Sequence, residues 1–301
     1  MSVAVIGAGK WGQGLHFALS QRQKCLIASP HSKLDTADFV SVKQALKCEF
    51  LVFAISAQAI AAWLAGNFSD NGQKILLASK GIDTASCRFL DEIFADFVPR
   101  ERFCVLSGPS FAAEVMQGLP CALCVSGYDK GVCEAWASFF PPFIKAYVGA
   151  DVRGAEICGA YKNVLAIASG ICEGLRLGNN ARASLIARGL IEMHRFGAHF
   201  GAKEDTFLGL SGAGDLFLTA SSTLSRNFRA GLLLAKGKSK DEIIAELKEV
   251  VEGIPTAFAI AQIAERQGIY TPIVREVALI LQGKNVRESL KTLLSRRDES
   301  L

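Results

Sequence analysis

The first half of the chain alternates short apolar runs with stretches in which apolar residues recur at helical spacing. The apolar runs have no polar alternation, which is the pattern of parallel strands that are buried on both faces. We predict seven strands, at residues 3–7, 25–28, 50–55, 74–79, 103–108, 121–127 and 144–149. Strands that alternate with helices in this way predict an α/β fold with a mostly parallel sheet.

Beyond about residue 150 the strand-like runs give way to helical periodicity. Ser239 with Glu242 forms a capping-box pattern, and Thr271 stands as an N-cap before a proline. The predicted helices cover residues 183–200, 239–251, 271–283 and 285–296. We therefore expect an all-α C-terminal domain at 153–301 after a dinucleotide-binding domain at 1–152.

The bulk composition excludes several classes of protein. The 301 residues are 50% hydrophobic and 21% charged, as in ordinary globular proteins with one or two cores. A net charge of +4 is too small to indicate nucleic-acid binding. No uncharged apolar run reaches the roughly 18 residues of a membrane span. The start, MSVAVIGAGKWG, has no signal-peptide pattern, so we expect a cytoplasmic protein.

The cysteines agree with a reducing compartment. There are nine of them, an odd number, and most lie in apolar contexts typical of reduced core thiols. Cys121 and Cys124 form a CxxC pair, but within a strand two residues three apart point to opposite faces. Because no second CxxC and no histidine at zinc spacing accompany them, we predict no metal site.

The segment VAVIGAGKWG places Gly7, Gly9 and Gly12 in G-x-G-x-x-G spacing between a strand and a helix. These positions allow a tight turn, close approach of a pyrophosphate and close packing of helix on strand. We therefore predict a dinucleotide site. The end of the second strand has Ser29, His31 and Lys33 instead of an acid, so both NADP and NAD remain open.

Lys162 lies inside GAYKNVLAIASG, an apolar stretch that is predicted to be a buried helix. A buried ammonium needs a charge partner or a lowered pKa. Asp215, in GLSGAGDLFLTA, follows a glycine-rich turn and is the candidate partner. Which effect dominates the pKa of Lys162 cannot be decided from the sequence.

Three further segments predict an anion site. Lys80 follows the fourth strand at the sheet edge where ligands bind in open α/β folds. Ser110, after a Gly-Pro turn, is a predicted N-cap. Ser225, Arg226 and Asn227 begin a helix and together offer the donors of a phosphate cradle.

The motifs GAGKWG, SKGID, SGPSFAAEV, GAYKNVLAIASG, GLSGAGDL, STLSRNF and VVEGIPTA occur in this order along the chain. In this combination the sequence resembles the bacterial-type NAD(P)-dependent glycerol-3-phosphate dehydrogenases. The resemblance implies a Rossmann domain followed by a helical domain, and non-covalent NADP or NAD as co-substrate. It further implies reversible reduction of dihydroxyacetone phosphate to sn-glycerol 3-phosphate, which supplies glycerophospholipid synthesis. The resemblance is compatible with a homodimer.

The resemblance also implies roles for single residues, with Lys162 as the catalytic lysine and Asp215 as the acid beside it. The implied substrate-binding positions are Lys80, Gly108, Ser110, Lys162, Asp215, Ser225, Arg226 and Asn227. With the glycine turn and His31 included, the expected cofactor contacts are Gly7, Gly9, Lys10, Trp11, Gly12, His31, Lys80, Ala112, Arg226, Val250 and Glu252. The chain departs from the family's pattern at Lys10, where Ser or Thr is common.

Two other functions remain open. Hydroxyisobutyrate and ketopantoate reductases share a Rossmann-plus-helices plan with a helix-borne lysine, but act on carboxylates. A non-catalytic NADP-binding regulator would need no lysine in an apolar helix with an acid to match it.

For the dehydrogenase, we expect Lys162 to donate a proton in reduction and to accept one in oxidation.

Overall fold

The computed structural model describes residues 2–30 and 34–295. Its seven strands form one sheet in the order β2-β1-β3-β4-β5-β6-β7. Neighbouring strands are parallel except β5 and β6, which are antiparallel, so the mostly parallel sheet is confirmed. The strands are β1 Val3–Ile6, β2 Cys25–Ala28, β3 Phe50–Phe53, β4 Lys74–Leu77, β5 Phe103–Ser107, β6 Cys121–Gly127 and β7 Ile144–Gly149.

Short helices connect the strands, and longer helices make up the chain after β7. The connecting helices are α1 Lys10–Ser20, α2 Val42–Ala45, α3 Ile60–Asn67, α4 Leu90–Phe94, α5 Ala112–Val115 and α6 Lys130–Ser138. The later ones are α7 Val152–Gly174, α8 Asn179–His199, α9 Glu204–Leu208, α10 Asp215–Ala220, α11 Arg226–Ala235, α12 Lys240–Leu247, α13 Gly253–Gln267, α14 Pro272–Leu281 and α15 Val286–Ser295. The helical second half is thus confirmed.

The sheet is buried on both faces, which explains its continuous apolar runs. Val3 and Val5 pack into one hydrophobic cluster, whereas Ala4 and Ile6 of the same strand pack into another. Successive side chains of a strand point to opposite faces, so each layer of helices covers one of the two clusters.

Helix α7 is the centre of the helical half and is buried over nearly its whole length. Glycines let α11 cross it closely. A Cβ on Gly170 would lie 2.1 Å from the carbonyl oxygen of Phe228, and a Cβ on Gly231 would lie 2.1 Å from that of Ile167. No side chain fits at such distances, so these glycines bring α11 onto the helix that carries Lys162.

The helix starts agree only partly with the sequence. Ser239 and Glu242 form the predicted capping box at the start of α12. Thr271 holds the N-cap position of α14, but its side chain makes no capping hydrogen bond. The carboxylate of Glu192, from α8, accepts hydrogen bonds from the backbone N–H groups of Ile273 and Val274 at 2.7 and 3.0 Å instead. The cap is therefore supplied by tertiary contact, which a local pattern does not show.

Helix α7 starts at Val152, so the predicted domain boundary falls in its first turn. Val152 and Ala155 still pack against the sheet, and the following turns pack among the helices. Within residues 2–30 and 34–295, none of the helices combines the length and the apolar character needed to span a bilayer.

Candidate active site

Two lysines share one buried carboxylate where the sheet meets the helical half. The Nζ of Lys162 lies 2.5 Å from Oδ1 of Asp215, and the Nζ of Lys80 lies 2.6 Å from Oδ2. Lys162 is 7% exposed and Asp215 is 1% exposed. Lys162 also donates to the hydroxyl of Thr219 at 3.0 Å. We call Lys80, Lys162, Asp215 and Thr219 the lysine cluster.

The charges of the cluster shift the pKa values of Lys162 and Asp215. Burial lowers the pKa of Lys162 from its usual 10.5 to about 7, since burial and the nearby Lys80 outweigh the opposing effect of Asp215. Burial alone would raise the pKa of Asp215, but the two ammonium groups hold that pKa below its usual value. An amine with a pKa near 7 is suited to both giving and taking a proton at neutral pH.

The four members reach the cluster from three parts of the chain: α7, α10 and the loop after β4. Lys80 follows β4 at the carboxyl end of the strand, and its aliphatic stem passes Gly159 of α7, where a Cβ would lie 3.4 Å from the stem. Asp215 is the first residue of α10, after a π-helical turn at 210–214. Thr219 lies one helical turn after Asp215 on the same face. Thr219 was not predicted from the sequence, although its position four residues after Asp215 on a helix could have indicated that the two side chains lie together.

The three polar residues at the start of α11 have different surroundings. Ser225 is the N-cap, and its hydroxyl accepts from the N–H of Phe228 at 3.2 Å. Arg226 is exposed. Asn227 is buried, with its amide donating to Asn163 at 2.9 Å and its Oδ1 accepting from the N–H of Gly253 at 2.9 Å. Asn227 thus ties α11 to α7 and α13, and the sequence did not indicate its partner Asn163.

The prediction that Ser110 is an N-cap is wrong. Helix α5 begins at Ala112 with Phe111 in the N-cap position. The hydroxyl of Ser110 donates instead to the carbonyl of Gly108 at 3.2 Å, across a turn in which Gly108 has a φ of +108°. The conformation favours glycine at that position, and the turn, rather than the helix, orients Ser110.

The glycine turn has the shape that a pyrophosphate site needs. Gly7 has a φ of +114°. A Cβ on Gly12 would lie 1.9 Å from the carbonyl oxygen of Gly7, so any side chain there would separate α1 from β1. A Cβ on Gly9 would meet no atom within 4 Å, so this side of the turn is open to a ligand. The N-terminus of α1 follows at Lys10.

Ion pairs join the glycine turn to the segment before α13. The exposed ammonium of Lys10 pairs with Glu249, whose other carboxylate oxygen lies 2.7 Å from Arg229 of α11. Glu249 therefore bridges the sheet half and the helical half. Its neighbour Val250 is exposed. The sequence analysis had singled out Lys10 and Val250 but not Glu249.

The remaining expected cofactor positions surround the same edge. Trp11 packs part-buried against a core cluster of the sheet, and a Cβ on Gly14 would touch Ala112 at 3.5 Å. Burial raises the pKa of Glu252, while a hydrogen bond with Ser56 and the nearby Arg226 oppose the rise. The buried Oε2 of Glu252 has no hydrogen-bond partner among the described residues.

Two further expectations from the sequence concern His31 as a cofactor contact and the absence of a metal site. His31 lies outside the described residues. Among residues 2–30 and 34–295, no group of three or more His, Cys, Asp and Glu side chains is arranged to hold a metal ion.

Comparison with known proteins covers almost the whole chain. Residues 27–133 match the family described as NAD-dependent glycerol-3-phosphate dehydrogenase N-terminus, and residues 151–291 match the corresponding C-terminus. A glycerol-3-phosphate dehydrogenase [NAD(P)+] of Campylobacter jejuni is 65% identical, over 99% of this chain and 100% of that one. The same-named protein of Nitratiruptor sp. is 56% identical, over 99% of this chain and 100% of that one.

A solved structure gives the same result. The crystal structure of glycerol-3-phosphate dehydrogenase from Coxiella burnetii has a TM-score of 0.90 and 30% identity, covering 98% of this chain and 99% of that one. The sequence of this chain and its fold therefore agree with those of glycerol-3-phosphate dehydrogenases over almost the full length. The chain belongs to the NAD-dependent glycerol-3-phosphate dehydrogenase family.

Proposed function

We propose that this protein is an NAD(P)H-dependent oxidoreductase that interconverts dihydroxyacetone phosphate and sn-glycerol 3-phosphate. The observation that carries this proposal is the lysine cluster. Gly7 follows β1 and Lys80 follows β4, two parallel strands of one sheet with β3 between them, so both lie at the carboxyl edge of the sheet. The buried amine of Lys162, with a pKa of about 7, shares Asp215 with Lys80 at this edge. The full-length relatives named glycerol-3-phosphate dehydrogenase support the choice of substrate.

The residues of the glycine turn fit a dinucleotide. Its backbone is open at Gly9, and the N-terminus of α1 favours a pyrophosphate. We infer that Gly7, Gly9, Lys10, Trp11 and Gly12 hold this part of the cofactor. Lys80, Ala112, Arg226, Val250 and Glu252 are proposed as further contacts around the same cleft. When bound, the nicotinamide supplies or accepts the hydride.

Lys162 is the proposed general acid of ketone reduction. Its ammonium gives a proton to the carbonyl oxygen as that oxygen becomes an alcohol, and the neutral amine takes the proton back in oxidation. Asp215 holds the amine in place and compensates its charge while it is protonated. Lys80 positions the reacting end of the substrate, and its ammonium keeps the pKa of Lys162 low. A positioned proton donor accounts for about 10²–10⁴-fold in rate.

The phosphate is proposed to bind at the start of α11. Arg226 is exposed there and provides a guanidinium, which binds phosphate oxygens in a bidentate manner. We propose Ser225, Asn227, Gly108 and Ser110 as further contacts of the substrate. Because Asn227 already bonds Asn163 and Gly253, its main effect is to hold α11 in register with Lys162.

Several properties follow as parts of the same proposal. The chain divides into a dinucleotide-binding domain at 1–152 and a helical substrate domain at 153–301. It acts in the cytoplasm, which is supported by nine free cysteines, including Cys104 and Cys133 at 3.5 Å without a disulfide. Its product supplies glycerophospholipid synthesis. Its partner is a small phosphorylated substrate and not a nucleic acid, and a homodimer would be detected by sedimentation.

A spectrophotometric assay of NADPH and NADH oxidation tests the proposal. Dihydroxyacetone phosphate should rapidly oxidise NADPH, NADH or both, whereas ketopantoate should oxidise neither. A faster reaction with ketopantoate would favour the carboxylate-specific reductases. If the protein bound NADPH but consumed it with neither ketone, the non-catalytic regulator would be the better account.

A further inference from the structure

Two buried carboxyl groups meet where α4 packs against the start of α7. Asp91, in α4, is 2% exposed, and Glu156, in the second turn of α7, is 6% exposed. The backbone N–H of Asp91 donates to Oε1 of Glu156 at 2.9 Å, and the two carboxyl groups are also in hydrogen-bonding contact with each other. Two ionised carboxylates only accept and repel, so a hydrogen bond between them requires a proton on one of them. We call Asp91 and Glu156 the carboxyl pair.

The charges around the carboxyl pair leave no cation for Glu156. The guanidinium of Arg153 lies 3.0 Å from Oδ1 of Asp91 and 2.9 Å from Oε1 of Glu92, so one positive charge already faces two acids. Within residues 2–30 and 34–295, no ion pair joins Glu156 to an arginine, a lysine or a histidine. A buried charge without a partner is costly, and such a group usually becomes neutral instead. We therefore expect Glu156 in its neutral form.

The hydrogen bonds assign the proton to Glu156 rather than to Asp91. Oδ2 of Asp91 accepts from the hydroxyl of Tyr128 at 2.8 Å and from Arg153 at 3.2 Å, and such donors favour an ionised carboxylate. Oε2 of Glu156 is buried and accepts no hydrogen bond from the described residues. An ionised oxygen would stay unmet there, whereas the O–H of a carboxylic acid can donate to Asp91. One proton on Glu156 thus satisfies both groups.

Three parts of the chain face the carboxyl pair, namely α4, α7 and the residues directly after β6. Their charged or titratable groups are Glu92, Arg153 and Tyr128, with Arg100 lying 5.5 Å from the centre of the Tyr128 ring. Burial raises the pKa of Tyr128, so this residue stays a neutral donor. Burial also raises the pKa of Glu156 well above its usual 4.5, the negative charge beside it adds to the rise, and Arg153 opposes it only in part.

We propose that the carboxyl pair shares one proton, carried by Glu156, and that this proton holds the start of α7 against α4 as a latch that weakens when the pH rises. Loss of the proton removes the hydrogen bond between the carboxyl groups and leaves two negative charges facing each other in a buried place. Lys162 lies six residues further along α7, about 9 Å away along the helix, so the latch is separate from the lysine cluster. Neither the proposed reaction nor its substrate needs it.

The shared proton gives the latch a defined dependence on pH. The unfolded chain releases the proton of Glu156 near the usual pKa of 4.5, whereas the folded chain keeps it to a higher pH. Across this interval the folded state binds more protons than the unfolded state, so its stability falls as the pH rises. For one proton, the equilibrium constant of unfolding rises about tenfold per pH unit.

Urea unfolding of the intact protein at several pH values tests the latch against the variant Glu156→Gln. Glutamine keeps the shape and a donor for Asp91 but cannot ionise, and the other groups titrate alike in both proteins. Between about pH 5.5 and 7, the unfolding constant of the unaltered protein divided by that of Glu156→Gln should rise about tenfold per pH unit. With Glu265→Gln, an exposed glutamate on α13, the same ratio should stay flat. A flat ratio for Glu156→Gln as well would overturn the proposal.

Infrared difference spectroscopy detects the proton directly in the folded protein. At neutral pH, the spectrum of the unaltered protein minus that of Glu156→Gln should contain the C=O band of a protonated carboxylic acid. A carboxylate band in its place would contradict a proton on Glu156, even if the two stabilities differ.

Asp91→Asn tests whether Asp91 shares the proton. This variant removes the negative charge beside Glu156, so the pH-dependent range, measured against the double variant Asp91→Asn with Glu156→Gln, should end at a lower pH than in the unaltered protein. An unchanged range would show that burial alone holds the proton, which would overturn the sharing. None of these measurements uses dehydrogenase activity, so failure of the latch leaves the proposed function intact, and an inactive protein with this pH dependence would leave the latch intact.

Discussion

The lysine cluster and the glycine turn lie at the same sheet edge but are built in opposite ways. Lys162 and Asp215 are buried, and each has at least two side-chain hydrogen-bond partners within the lysine cluster. The glycine turn is open at Gly9, and the ion pair that crosses it uses Lys10, whose side chain is 83% exposed. If the proposed function holds, this difference separates a fixed amine for the chemistry from an open surface that the cofactor can enter and leave.

The largest effect should come from removing the amine itself. Lys162→Ala should lower kcat by about 10²–10⁴-fold, because the reaction loses its proposed positioned proton donor. The affinity for NADPH, measured by fluorescence titration, should stay nearly unchanged because the glycine turn is untouched. Lys236→Ala, at the far end of α11, is a matched control. Full turnover in Lys162→Ala would remove the amine from the mechanism.

A smaller but still large effect is expected for the carboxylate. Asp215→Asn leaves two ammonium groups beside a neutral amide, and breaking a buried pair in this way costs about 3–5 kcal/mol of folding stability. Urea unfolding measures this loss, and Asp205→Asn, an exposed acid on α9, should change little. A variant as stable as the unaltered protein would mean that the cluster is not held together by its charges.

The phosphate cradle should show an intermediate effect and mainly in KM. Arg226→Ala removes a charge-assisted contact worth about 1.5–3 kcal/mol, which predicts a KM for dihydroxyacetone phosphate raised about 10- to 100-fold. Initial-rate measurements at varied substrate give KM and kcat separately. Arg266→Ala, which removes an exposed arginine near the end of α13, controls for charge alone. An unchanged KM in Arg226→Ala would place the phosphate elsewhere.

The smallest effect is expected at the glycine turn. Glu249→Gln breaks the ion pairs with Lys10 and with Arg229. Of the two, the pair with Lys10 lies at the glycine turn, and a surface pair of this kind contributes about 1 kcal/mol or less, so the Kd for NADPH should change at most about fivefold. The change should shrink in high salt because exposed charges are screened. A change in Kd as large as that of kcat in Lys162→Ala would show that the two regions do not differ in the way proposed.

The sequence predicts the local features of this fold well and its tertiary contacts poorly. The seven strands end within two residues of their predicted ends, because their apolar runs and flanking turns are local signals. The capping of α14 by Glu192 and the turn that orients Ser110 depend on residues brought together by folding.

The candidate site shows the same division. Lys162 was noticed because an ammonium in an apolar helix is unusual, and Asp215 because it was the acid available to match it. The pKa of Lys162 depends on how completely α10 and the loop after β4 cover it, so the sequence could not decide between burial and pairing. Glu249 and Thr219 become apparent only when their partners are in place.

The most direct test of Lys162 as the proton carrier is the pH dependence of kcat/KM measured in both directions. Reduction needs the ammonium, so its kcat/KM should fall as the pH rises above about 7, and oxidation needs the free amine, so its kcat/KM should fall as the pH drops below about 7. The substrate phosphate, whose pKa is about 6, would affect both directions in the same sense. Opposite slopes that meet near pH 7 and vanish in Lys162→Ala are the predicted result. Parallel slopes, or profiles that Lys162→Ala leaves unchanged, would contradict the account.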